Sequence, residues 1–198
     1  MKKALSQLLI IIFILSLSSV AFAEDALSWD FYGPIAEETF GDTAHFVTLD
    51  EVEAMIWIPD FLLPVQLTEE DISSGAIASY MPEDESELVY FSYFDAEGIT
   101  LEAFQRSLTS NGVHAEIQTI NGIPALVYYD GNSDTFVTTF ATAEGYFLQI
   151  LCFPFSDELS SVLFAMMLSS IQPVVEEKEE DSDSPVVSVN PVSRLISK

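Results

Sequence analysis

The sequence predicts an α+β fold, an antiparallel sheet flanked by helices, and three observations carry that expectation. Short runs rich in Val, Ile, Phe and Tyr recur along the chain, separated in pairs by turn residues. Two stretches, around Leu101–Leu108 and Leu159–Met167, carry apolar residues at helical spacing between and after those pairs. Asn121-Gly122 stands between two of the runs, and that pair favours tight hairpins because both residues tolerate positive φ. Hairpin strands alternating with helices bury their apolar faces by packing the helices on the sheet.

The N-terminus is of another kind. Lys2 and Lys3 precede the apolar run Leu8–Leu15, and Ala21 and Ala23 form an A-x-A cleavage pattern. Residues 1–23 are therefore expected to be a signal peptide, with the mature chain starting at about Glu24. A retained spanning helix needs about 20 consecutive apolar residues, and Gln7 and several serines interrupt this stretch. No cysteine stands at the cleavage site to take a lipid. The expected product is secreted and extracellular, with no membrane attachment after cleavage, and is long enough for one core of ordinary domain size.

Residues 24–42 contain Trp29, Phe31, Tyr32 and Gly33-Pro34, and no period assigns them to an element. Residues 43–175 read as the α+β domain. Ala44–Leu49 and Glu53–Pro59 read as paired strands around Asp50 and Glu51. Thr68 followed by Glu69, Glu70 and Asp71 supplies a capping hydroxyl and acids that suit a helix start, and Gly75 ends that turn. Ala76–Met81 and Glu87–Phe94 read as strands joined by the acidic turn Pro82–Ser86. Thr100 then caps a helix with Leu101, Phe104 and Leu108 on one face, stopped by Asn111-Gly112.

Val113–Ile120 and Ile123–Tyr129 flank the Asn-Gly turn. Asp134–Ala141 and Tyr146–Phe153 form the last strand pair, around Gly145. A second helix is expected with Ser156 as its cap and Leu159, Val162, Leu163, Met166 and Met167 toward the core. From Glu176 the run Glu-Glu-Lys-Glu-Glu-Asp leads into a Ser, Pro and Val sequence, so residues 176–198 are expected to be an acidic disordered tail.

Charge narrows the partners. The formal net charge is -26, from 32 Asp and Glu against 6 Lys and Arg; loss of Lys2 and Lys3 with the signal would take it to about -28. Arg106 is the only Lys or Arg between Glu24 and Val175. Such a surface repels phosphate backbones and anionic membranes, so no nucleic acid partner is expected. Cationic partners and weakly held divalent cations remain compatible with it, and the charge also keeps a secreted protein soluble.

Candidate chemistry is sparse. Cys152, the single cysteine, lies in the apolar run YFLQILCFPF without a neighbouring base and reads as a buried structural residue. His45 and His114 sit in strand-like runs, and no G-x-S-x-G elbow accompanies them. Asp130-Gly131-Asn132-Ser133-Asp134 resembles the first half of a calcium loop. However, Thr135 replaces the needed glycine and Ala141 stands where the closing glutamate belongs, so a hairpin turn is expected. Zinc spacings and phosphate-binding glycine patterns are absent. No catalytic, cofactor or metal residue is nominated, because pairing carboxylates among 32 acids means nothing without geometry.

Trp57-Ile58-Pro59, Gly75-Ala76-Ile77, Leu101-Glu102-Ala103-Phe104, Ile120-Asn121-Gly122-Ile123-Pro124-Ala125 and Ser169-Ser170-Ile171, in this order of elements, resemble the Mog1/PsbP-like fold, including its secreted bacterial members. The resemblance spans about residues 43–175 and implies a Mog1/PsbP-like sandwich. That superfamily holds photosystem accessory proteins and a regulator of a small GTPase, so the resemblance implies an interaction or accessory role; no functional residue transfers. Two function readings follow. The first is a secreted, non-enzymatic binding or accessory module for a protein or small ligand. The alternative is a cryptic carboxylate-dependent extracellular hydrolase.

Overall fold

The computed structural model describes residues 27–174; the expected signal peptide (1–23) and acidic tail (176–198) lie outside the described residues. Helix α1 spans Trp29–Phe40 and leads into strands β1 (Ala44–Leu49) and β2 (Ala54–Pro59), which a short 3-10 turn, Asp50–Val52, connects. Then come β3 (Leu63–Pro64), α2 (Glu69–Ser73), β4 (Ala76–Met81), β5 (Leu88–Asp95) and α3 (Leu101–Ser110). Strands β6 (Ala115–Ile120), β7 (Ile123–Asp130), β8 (Thr135–Ala141) and β9 (Tyr146–Phe153) precede α4 (Glu158–Ser169) and β10 (Gln172–Pro173).

The α+β class expected from the sequence is observed, with antiparallel sheets flanked by helices. Seven strands form one antiparallel sheet in the order β3-β4-β5-β9-β8-β7-β6. The first hairpin does not extend it. Instead β1 and β2 form a second sheet with β10, which sets Gln172 opposite Met55. Alternation along the strands gives the main sheet two apolar faces. On one, Val89, Phe91, Phe140, Leu148 and Ile150 pack with Ile56 and Ile58 of β2 and with Phe164 and Met167 of α4. On the other, Leu126 and Phe147 meet Leu101, Phe104 and Leu108 of α3, the face the sequence spacing predicted.

Local signals act as their chemistry requires. Thr68 and Asp71 form a capping box, Thr68 Oγ1 accepting from Asp71 N–H and Asp71 Oδ2 from Thr68 N–H. Thr100 Oγ1 accepts from Ala103 N–H. Asn121 and Gly122 both adopt positive φ, 47° and 79°, between the facing Ile120 and Ile123.

Two expectations are corrected. The cap of α4 is Asp157, whose Oδ1 accepts from Leu159 and Ser160 N–H, because Ser156 is engaged by Asp134 one loop away. Leu159 is 66% exposed, whereas Phe164 and Leu168 are buried. The second half of α4 is enclosed on most sides, so its apolar residues are not confined to one stripe.

The unassigned segment 24–42 contains a helix that belongs to the core, with Ala36 1% exposed. Pro34 lies inside it. A Cβ on Gly33 would sit 3.1 Å from Trp29 Cε2, so this glycine lets the Trp29 indole fold back along the helix.

Candidate functional site

The arrangement most suited to recognition lies where α1 crosses the first hairpin. Asp30, Gly33, Pro34 and Glu37, at positions i, i+3, i+4 and i+7, share one face of α1, and Gly41 follows at its C-terminal end. They face Ala44, His45 and Phe46 of β1 across a groove of about 490 Å³. Gly33 and Pro34 project little into it. Trp29 and Trp57 complete its lining, with ring centroids 5.8 Å apart. Phe46 meets Trp29 edge-on at 5.7 Å and stays 38% exposed.

The aromatic run continues. Phe40 meets Trp57 edge-on at 5.2 Å and stacks with Phe61 at 6.4 Å. Phe61, with Asp60, Leu63 and the β4–β5 turn from Pro82 to Glu87, lines a second depression of about 680 Å³. His45 Nδ1 lies 2.6 Å from Asp60 Oδ1, joining one residue from each hollow. Phe61 and Leu63 are each 44% exposed.

The charged groups of both hollows carry one sign apart from His45. Asp30, Glu37, Asp60, Glu83, Asp84 and Glu87 line them, with no Lys or Arg of the described residues among them. The side-chain hydroxyl of Ser86, followed by its N–H, holds the Asp84 carboxyl below its ordinary range, so it stays ionised. Arg106, the one Lys or Arg among residues 27–174, sits on α3, the helix that covers the far face of the main sheet.

The residues weighed for catalytic or metal chemistry in the sequence lie apart from this groove, His45 excepted. Cys152 is 1% exposed in the main core, and burial pushes its thiol pKa up, away from the reactive thiolate. His114 is exposed, 3.6 Å from Glu116. His45 has its carboxylate partner, yet the described residues give it no serine or threonine hydroxyl to activate. Asp130–Asp134 is a hairpin turn. Asp130 accepts from Asn132 N–H at 3.0 Å and Ser133 Oγ at 2.8 Å; Asp134 accepts from Tyr129 Oη, Ser156 N–H and Ser156 Oγ. These bonds hold both carboxyls below their ordinary range, the Ser133 and Ser156 hydroxyls contributing most.

Sequence reasoning did not assemble the groove, because Trp29, Phe46 and Trp57 come from three elements. The available signal was the aromatic density of residues 29–40 beside Asp30, Glu37 and Glu38.

No family model matches this chain, and no curated protein matches it. Among solved structures it is similar to the solution structure of cyanobacterial PsbP (CyanoP) from Synechocystis sp. PCC 6803. The identity is 13% and the TM-score 0.47, over 66% of this chain and 92% of that one. The α+β class rests on the sheets and helices described above.

Proposed function

We propose that this chain is a secreted, non-enzymatic binding module and that the groove between α1 and the first hairpin holds a cationic partner. One observation carries the reading: an aromatic surface, Trp29 and Phe46 over the buried Trp57, is bordered by Asp30 and Glu37 with no Lys or Arg of the described residues in its lining. Aromatic faces attract cations, and carboxylates at their margin add attraction that salt weakens. The hydrolase reading has less support. A carboxyl acting as general acid needs a raised pKa, whereas each carboxyl with a resolved shift, such as Asp84 and Asp134, is displaced downward.

The only two tryptophans in the chain, the half-buried Trp29 and the buried Trp57, both line this groove, so intrinsic fluorescence reports on its occupancy. Titration with an oligo-lysine peptide at low ionic strength is expected to shift the emission, and oligo-glutamate to leave it unchanged. Asp30→Asn with Glu37→Gln should weaken the response. An emission that ignores oligo-lysine, or an equal response to both peptides, would overturn the reading.

A further inference from the structure

We propose that the partner is an extended basic segment that adds as a strand to the outer edge of β1, its Lys or Arg side chains entering the groove. The proposal rests on the reading of the groove as a cation site and adds the backbone contacts that hold the ligand. β1 is the terminal strand of its sheet, with no strand beyond it among the described residues.

Two hydrogen bonds show which backbone groups are free. Asp60 N–H donates to Thr43 O at 2.9 Å, and Trp57 N–H donates away from β1, to Ser170 Oγ at 2.8 Å. Antiparallel pairs alternate between bonded and non-bonded. In the register of this hairpin, Ala44/Pro59, Phe46/Trp57 and Thr48/Met55 are thus the non-bonded pairs. Pro59, which has no N–H to give, occupies one of these positions. The N–H and C=O of Ala44, Phe46 and Thr48 therefore point outward along the edge.

An added strand continues the pleat, so every second side chain stands beside Phe46 on the groove face, about 7 Å apart. Asp30 and Glu37 are about 10 Å apart along α1. Flexible basic side chains at alternate positions span that distance. The edge itself, Ala-His-Phe-Val-Thr-Leu, carries neither the lysine nor the proline that ordinarily guards an exposed strand. A second copy of the chain would bring like-charged carboxylates together, at a formal net charge of -26 on each, whereas a basic strand neutralises them.

The test uses a fluorescein-labelled peptide of alternating arginine and valine, its isomer N-methylated at alternate backbone nitrogens, and two variants of the full chain. Thr48→Pro removes one outward N–H at an exposed position and spares the β1–β2 bonds. Asp30→Asn/Glu37→Gln removes groove charge. Circular dichroism and melting check that each variant folds. Should Thr48→Pro fail to fold, the N-methylated peptide tests the same backbone contacts on the natural chain.

Anisotropy is expected to show binding that falls about tenfold or more on Thr48→Pro and on N-methylation. The double acid variant should weaken it too. If N-methylation and Thr48→Pro leave affinity unchanged while the double acid variant lowers it, strand addition is wrong and the groove reading stands. If the natural chain binds neither peptide, the groove reading fails as well. If sedimentation reveals a dimer that Thr48→Pro dissociates, the edge serves a second copy and the proposal is overturned.

Discussion

The side-chain amide of Asn121 donates to the carbonyl of Ile171 at 2.8 Å, fastening the Asn-Gly turn to the end of α4. The same residue donates its backbone N–H to Leu27 O at 2.7 Å, and its Oδ1 accepts from Trp29 N–H at 3.4 Å. Beside it Ser170 Oγ accepts from Trp57 N–H. The phrases around Trp57, Asn121 and Ser169-Ser170-Ile171 thus converge on one place, where both ends of the described chain are tied to the sheets.

Asn121→Gly keeps the positive-φ turn and removes both side-chain bonds. It is expected to cost about 1–2 kcal/mol, a fall of several degrees in thermal melting. Asn121→Asp should cost more at neutral pH, since a carboxylate faces the Ile171 carbonyl without a donor. A glycine variant that melts with the parent would refute this role.

Thr138 offers a gain. Its Oγ1 is buried without a partner, on β8 between Val127 and Ile150. Thr138→Val replaces that hydroxyl with a methyl of similar size, and chemical denaturation should show about 1 kcal/mol of added stability. A less stable valine variant would mean that the hydroxyl is satisfied in solution.

Legibility followed locality. The hairpins, the Thr68 and Thr100 caps and the Asn121-Gly122 turn were readable because each depends on residues within a few positions. β10 was not, since Gln172 and Pro173 count as a strand only through β2, more than a hundred residues earlier. α1 was obscured by Gly33-Pro34, a pair that breaks helices in isolation, whereas here Pro34 lies within the helix and Gly33 accommodates the Trp29 indole. The groove inherited that blind spot, because its α1 wall lies in the same segment.

Asp134 links stability to pH. Bonds from Ser156 and Tyr129 depress its folded-state pKa, so its contribution is present above the ordinary carboxyl value of about 3.9 and is lost as pH falls through the lower folded value. Asp134→Asn should therefore lower the melting temperature at pH 7, and the gap to the parent should close toward pH 2. A gap that persists unchanged across that range would exclude ionisation as its source.

Calcium should bind weakly and diffusely. In the loop that begins at Asp130 the carboxylate oxygens of Asp130 and Asp134 already accept protein donors, which an ion would have to displace. Thr135 pairs with Asp130 as β8 begins, so the chain turns back where a calcium loop would continue around the ion. Ala141 ends β8, roughly 20 Å further along an extended strand, too far for any closing ligand at that position. What remains is the general field of the acidic surface, which gives affinity on the order of millimolar or poorer and is screened by salt. Calorimetry at low and physiological ionic strength should show heats that fade with salt and are indifferent to Asp130→Ala. A stoichiometric site of about micromolar affinity that survives salt and disappears with Asp130→Ala would require the turn to reopen around the ion.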